Sequence, residues 1–132
     1  MRRVFYSLAF LLSACAQGGG AASPDAAVEP APTERFANIA WAQDDPAAAP
    51  GSFRIFLADG SLVMDSCYET YRVARWRATG AATLAWMEDA SVIAARIEDL
   101  TDDRMTLVLT LANEEATRSF TRIKGEILCP ER

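Results

Sequence analysis

The sequence predicts an all-β domain: a small antiparallel meander barrel or sandwich of seven to eight short strands. Three observations predict it. Apolar and polar residues alternate with a period of two over many short runs, as half-buried strands require. Turn signals recur roughly every 8 to 12 residues, the spacing of barrels and sandwiches. No long stretch after residue 35 repeats with the 3.6-residue period of an amphipathic helix.

Taken in order, Arg35 to Trp41 is a short mixed segment carrying Phe36, Ile39 and Trp41, compatible with a strand or a helical turn. Gln43 to Gly51 holds Asp44-Asp45-Pro46 and Pro50-Gly51 and reads as a loop. Phe53, Ile55 and Leu57 then alternate with Arg54 and Phe56. Asp59-Gly60 signals a two-residue hairpin turn with positive φ at both positions, and Leu62 to Cys67 returns as the partner strand. Tyr71 to Arg77 is rich in β formers and ends at Thr79-Gly80. Thr83 to Met87 places Leu84 and Trp86 on one face, and Val92 to Ile97 alternates through Ile93, Ala95 and Ile97. The alanine content of Ala90 to Leu100 leaves a helix open there. Thr101-Asp102-Asp103 is a turn. Met105, Leu107, Leu109 and Leu111 then share one face opposite Thr106, Val108 and Thr110, the cleanest strand pattern in the chain. Asn113-Glu114-Glu115 reads as a turn, and Ala116 to Ile123 closes the sheet.

The first 34 residues are of another kind. Arg2 and Arg3 precede the apolar run Val4 to Leu12, about nine residues, which is too short to span a bilayer as a helix but suits the apolar part of a signal peptide. Residues 16–34 are Gly/Ala/Pro-rich with almost no large side chain and cannot bury enough surface to offset ordering entropy. They predict a disordered tether with a random-coil span of about 25 Å. The expected organisation is a cleaved signal peptide at 1–14, a modified N-terminus and tether at 15–34, and the β domain at 35–132.

Leu12-Ser13-Ala14-Cys15 resembles the lipobox of bacterial lipoproteins. The resemblance implies cleavage before Cys15 and a diacylglyceryl group on its thiol, with acylation of the new amino group in many species. Two or more chains anchor a protein stably where one does not. Ala16, in place of the aspartate that holds members of that family in the inner membrane, implies the periplasmic face of the outer membrane. With Cys15 lipidated, Cys67 and Cys129 remain. In an exported protein such a pair reads as a disulfide, the alternative being two independent buried thiols.

From about 52 to 124 the succession of strand, Asp59-Gly60 turn, strand, Ala74-Arg75-Trp76 and further meander looks like the lipocalin-like small barrels of bacterial lipoproteins. That resemblance implies a binder of a small apolar or anionic molecule. The domain is also similar in kind to the lipoprotein inhibitors of animal-type lysozyme, whose Ser/Gly/Tyr loop Ala78-Thr79-Gly80-Ala81 does not reproduce; this implies a periplasmic hydrolase inhibitor.

The chemistry of the chain narrows the function. There is no histidine, which excludes Ser-His-Asp and Cys-His pairs and every His-containing zinc site. Removing the leader leaves 11 basic against 18 acidic residues, −7, from the full chain's 13, 18 and −5. Nucleic acid, which calls for a basic patch, is not an expected partner. Glu88-Asp89 and Asp102-Asp103 are the paired carboxylates that acid/base chemistry or calcium would use, but both fall at strand ends or turns, where acidic residues face water. Among the arginines, Arg72, Arg75 and Arg77 with Arg118 and Arg122 could hold an anion or pair across strands with Glu69, Glu88 or Glu98. Arg75, Arg77 and Trp76 are the candidate ligand contacts, with Trp76 and Trp86 also read as core. No cofactor, metal or catalytic residue is expected. The sequence therefore predicts a non-enzymatic envelope lipoprotein, held to the membrane by its lipid and contacting an envelope protein or polymer.

Overall fold

Eight strands follow one another in the chain, each hydrogen-bonded to the next, and the last returns to the first. The computed structural model describes residues 32–131; Cys15, the leader and the tether up to residue 31 lie outside them. The strands are β1 (Ala40–Gln43), β2 (Phe53–Phe56), β3 (Ser61–Asp65), β4 (Arg72–Gly80), β5 (Thr83–Glu88), β6 (Ser91–Leu100), β7 (Arg104–Leu111) and β8 (Glu114–Arg122). All pairings are antiparallel. The β1–β8 pairing, Trp41 opposite Arg122 and Gln43 opposite Phe120, closes the barrel and leaves no free sheet edge.

Alternation sorts the side chains. Trp41, Phe56, Leu62, Met64, Trp76, Leu84, Trp86, Ala95, Met105, Leu107, Leu109 and Phe120 fill the interior with Phe36. An eight-stranded barrel is just wide enough for side chains to fill, and here large aromatics fill it. Phe56 sits edge-on to Phe36, Trp76 and Trp86 at centroid separations of 5.6, 5.5 and 6.1 Å. Each tryptophan N–H has an acceptor: Phe36 O for Trp41, Leu57 O for Trp76 and Glu88 Oε2 for Trp86. The even-odd pattern of β5, β6 and β7 is the one the sequence predicts.

One end of the barrel is plugged. A single 3-10 turn, Thr33–Arg35, delivers Phe36, fully buried, beneath the lumen. Arg35 Nη2 donates to Leu100 O at 2.6 Å, and Asn38 bridges to β2, donating its N–H to Phe56 O and accepting from Ala58 N. The ambiguous segment from Arg35 to Trp41 is thus both a helical turn and the approach to a strand.

Two open choices are decided, in β2 and β6, and two turn expectations, at Asp59-Gly60 and at Asn113-Glu114-Glu115, are corrected. In β2 it is Arg54 and Phe56 that face inward, because they share register faces with Trp41, Leu62 and Met64; Phe53 and Ile55 lie on the outer face. The Asp59-Gly60 turn carries positive φ only at Gly60 (85°), since Gly60 N closes a turn on Leu57 O and the loop is longer than two residues. Ala90 to Leu100 is no helix: β6 occupies it, its inward Ile93, Ala95 and Ile97 held between β5 and β7. The last hairpin turns at Ala112 and Asn113, with Ala112 at φ 47°, so Glu114 and Glu115 already belong to β8.

The cysteine pairing is present: Cys67 and Cys129 form a disulfide. It ties the C-terminal tail to the β3–β4 loop, which itself hydrogen-bonds through Cys67 N to Pro50 O.

Candidate functional site at the open mouth

The end opposite Phe36 is where β1, β3, β5 and β7 finish. Inward positions there are no longer uniformly apolar. Strand parity and register bring Gln43, Arg54, Arg72, Glu88 and Arg118 to the lumen side at this level: Arg54 pairs with Trp41 and Met64, Met64 with Arg72, and Arg118 with inward Leu107.

Arg54 is the deepest of these charges. Its guanidinium carbon lies 5.4 Å from the centre of the Trp86 ring and 5.9 Å from that of Phe120. Those π faces are favourable for a cation, yet they do not supply the oxygen acceptors that a guanidinium's fork of donors matches. Its Nη1 is cut off from solvent and has no hydrogen-bond partner. Burial pushes its pKa below the ordinary arginine value; Glu88 opposes that shift, and Arg72 and Arg118 add to it.

Glu88 is already committed. It accepts from Arg72 Nη2 at 3.2 Å and from Trp86 Nε1 at 3.3 Å. Arg118 donates to its neighbour's carbonyl, Thr117 O. Among the described residues neither Arg54 nor Arg118 forms an ion pair. Between the mouth loops a cavity of about 80 Å³ opens onto Arg54, bordered by Gln43, Ser52, Met64, Glu69 and Arg72. Glu69 in its wall accepts from Ser66 Oγ, and neighbouring Asp65 from Ser66 N.

The loop carrying Glu69 is held from three sides. The disulfide fixes Cys67, Cys67 N reaches Pro50 O, and the Tyr68 hydroxyl donates to Pro130 O. Gly51 makes the close approach possible: its φ is +68°, and any Cβ there would meet Cys67 Sγ.

The candidate contacts Arg75, Arg77 and Trp76 separate. Trp76 points into the core, while Arg75 and Arg77 are exposed on the outer surface. There they border a shallow groove of about 150 Å³ with Met87 and Val92, and Arg75 Nη1 reaches Ser61 Oγ at 3.3 Å. Of the wider arginine set, Arg72 and Arg118 come to the mouth, and Arg72 makes the expected cross-strand pair with Glu88. Of the paired carboxylates, Asp103 binds Lys124 at 2.8 Å. Among the described residues no three His, Cys, Asp or Glu side chains gather as metal ligands would. Arg54 is the residue that sequence reading missed. Its signal was an arginine flanked two residues on by a phenylalanine, but Phe53 and Ile55 offered the opposite parity an equally apolar face.

No protein-family model, no curated protein and no solved structure matches this chain.

Proposed function

We propose that this chain is a lipid-anchored, non-enzymatic module of the bacterial cell envelope that works by binding, with the open mouth of the barrel as its working face. The observation that carries the binding role is the incompletely partnered charge at that mouth, with Arg54 at its base. A packed aromatic lumen leaves no calyx for an apolar ligand, so recognition falls to the rim. The anchor rests on Leu12-Ser13-Ala14-Cys15. The chain enters the barrel at the plugged end, through Thr33–Arg35 and Phe36. With the chain entering at that end, the mouth is left free to meet an envelope protein or polymer.

Two measurements test this. Cells grown with radioactive fatty acid label the intact chain and not Cys15→Ser; an unlabelled intact chain overturns the anchor. A photo-crosslinking amino acid at Thr70, beside the mouth, captures an envelope component in living cells, whereas the same group at Arg96 on the outer wall does not. Equal capture at both positions, or none at Thr70, removes the mouth as the working face. A small anionic ligand in place of a macromolecule is the second reading, favoured by the unpartnered Nη1 of Arg54.

A further inference from the structure

We propose that the mouth binds a small oxyanion, a carboxylate or phosphate group, against the Arg54 guanidinium, with Arg72 and Arg118 beside it. This deepens the reading of the mouth as the working face and rests on that part of it alone.

The charge count is the first argument. Around Arg54 stand two like charges, Arg72 and Arg118, and one opposite charge, Glu88. Glu88 is spent on Arg72 and Trp86. In a chain whose overall charge is −5, three guanidiniums thus gather at one end of the barrel, although Asp65 and Glu69 also line the adjoining cavity. The second argument is the unmet donor. A buried donor left without an acceptor is expensive, and a charged one more so. Neither the Trp86 nor the Phe120 ring supplies an oxygen acceptor. The third is room. A cavity of about 80 Å³ adjoins Arg54, room for one carboxylate or phosphate group; Nη1 itself is closed off from it, so the side chain turns for that donor to be used. The planar fork of a guanidinium matches those groups through two parallel hydrogen bonds, which a spherical halide cannot reproduce.

Two carboxylates in the cavity wall oppose an anion, and the three guanidiniums must outweigh them. The acidic groups in the cavity wall, Asp65 and Glu69, are engaged by Ser66. The disulfide and Gly51 hold the loop that bears them close to β2, so the pocket is pre-shaped.

The test uses the whole protein, ¹⁵N-labelled and purified in non-ionic detergent. The probes are sodium acetate, sodium benzoate and inorganic phosphate, each at constant ionic strength made up with sodium chloride. The Arg54 side-chain N–H resonances and the backbone N–H of Thr70, which lines the same cavity and remains as reporter when Arg54 is replaced, shift and saturate with at least one oxyanion. Benzoate or acetate saturating first assigns a carboxylate ligand, and phosphate saturating first assigns a phosphoryl group. Arg54→Met weakens the response at least about tenfold, the loss of one charged hydrogen-bonded pair. Arg75→Gln on the outer wall leaves it unchanged. Should Arg54→Met fail to fold, Arg54→Lys, which keeps the charge and loses the fork, carries the same comparison. A response that never saturates, that chloride reproduces, or that survives loss of the Arg54 fork overturns the proposal. The crosslink from Thr70 reports separately: if it persists without saturable anion binding, the working face stands and the oxyanion does not.

Discussion

Arg54 keeps a charge where charge is costly, and that cost is measurable. Its guanidinium is favoured by two rings and by the distant pull of Glu88, but desolvation dominates and lowers its pKa. A base whose pKa falls on folding opposes folding wherever it is charged, which here covers the whole physiological range. Replacing a poorly compensated buried charge by an apolar side chain of similar length is neutral or stabilising. Arg54→Met therefore raises the ligand-free melting temperature by about 4–8 °C, the equivalent of about 1 kcal/mol for a domain this size; thermal unfolding followed by circular dichroism measures it, and a fall of that size contradicts the account. Gly51 has the opposite dependence. Gly51→Ala adds a Cβ in a left-handed conformation against Cys67 Sγ and costs about 2 kcal/mol or more in urea unfolding. Neither residue announces itself in the sequence. Pro50-Gly51 reads only as a loop, because the sulfur that presses on Gly51 comes from 16 positions later in the chain through tertiary contact. Arg54 is hidden by parity: Phe53-Arg54-Ile55-Phe56 offers apolar side chains to both faces, and only the pairing with Leu62 and Met64 selects one.

Elements whose pattern is unambiguous were readable without tertiary information. Met105 to Leu111 alternates with Val108 as its one apolar residue on the outer face, and β7 is the strand that results. Ala90 to Leu100 shows what alternation decides: its alanines allow a helix, but a helix would keep Ile93 and Ile97 on one face, turn Ala95 to the other, and leave β5 and β7 unpaired on facing edges. The Leu57–Ser61 turn adds a titration. Asp59 accepts the backbone N–H of Ser61 at 2.8 Å, and that bond holds its carboxyl below the usual carboxylate range. The ionised form is the one stabilised, so the contribution is present above the ordinary carboxylate pKa and is lost as pH falls through the lowered value. In Asp59→Ala the melting temperature loses that part of its acid-side decline, seen by comparing the two proteins below about pH 4. The plug is the energetic centre of its end. Phe36 is fully buried and touches Phe56 and Trp76 at 5.6 and 5.5 Å. Phe36→Ala costs about 3–5 kcal/mol in denaturant unfolding, in line with aromatic truncation in a well-packed core.

At the scale of the molecule, the interior is aromatic and the outer wall carries Arg75, Arg77, Arg96 and Glu98. Closure itself was not legible. It depends on Ala40–Gln43, four residues of weak pattern, pairing with both β2 and β8, and no periodicity within β1 names two partners. The disulfide was legible as arithmetic on cysteines, and its consequence extends beyond stability. Cys67 and Cys129 are 62 positions apart, a loop whose closure stabilises the fold by about 4 kcal/mol in the chain-entropy model. That bridge also fixes the loop walling the Arg54 cavity, while the barrel's own hydrogen-bonded ladder does not include it. Removing it acts on two quantities by separate routes. In the paired substitution Cys67→Ser with Cys129→Ser, urea unfolding shows a loss of about 4 kcal/mol with the strand signal in circular dichroism retained below the transition. At the same low urea, hydrogen exchange quickens at Ser66 to Tyr71 while β5, β6 and β7 keep their protection. Uniform loosening across all eight strands would mean that the bridge braces the barrel as a whole and not the mouth.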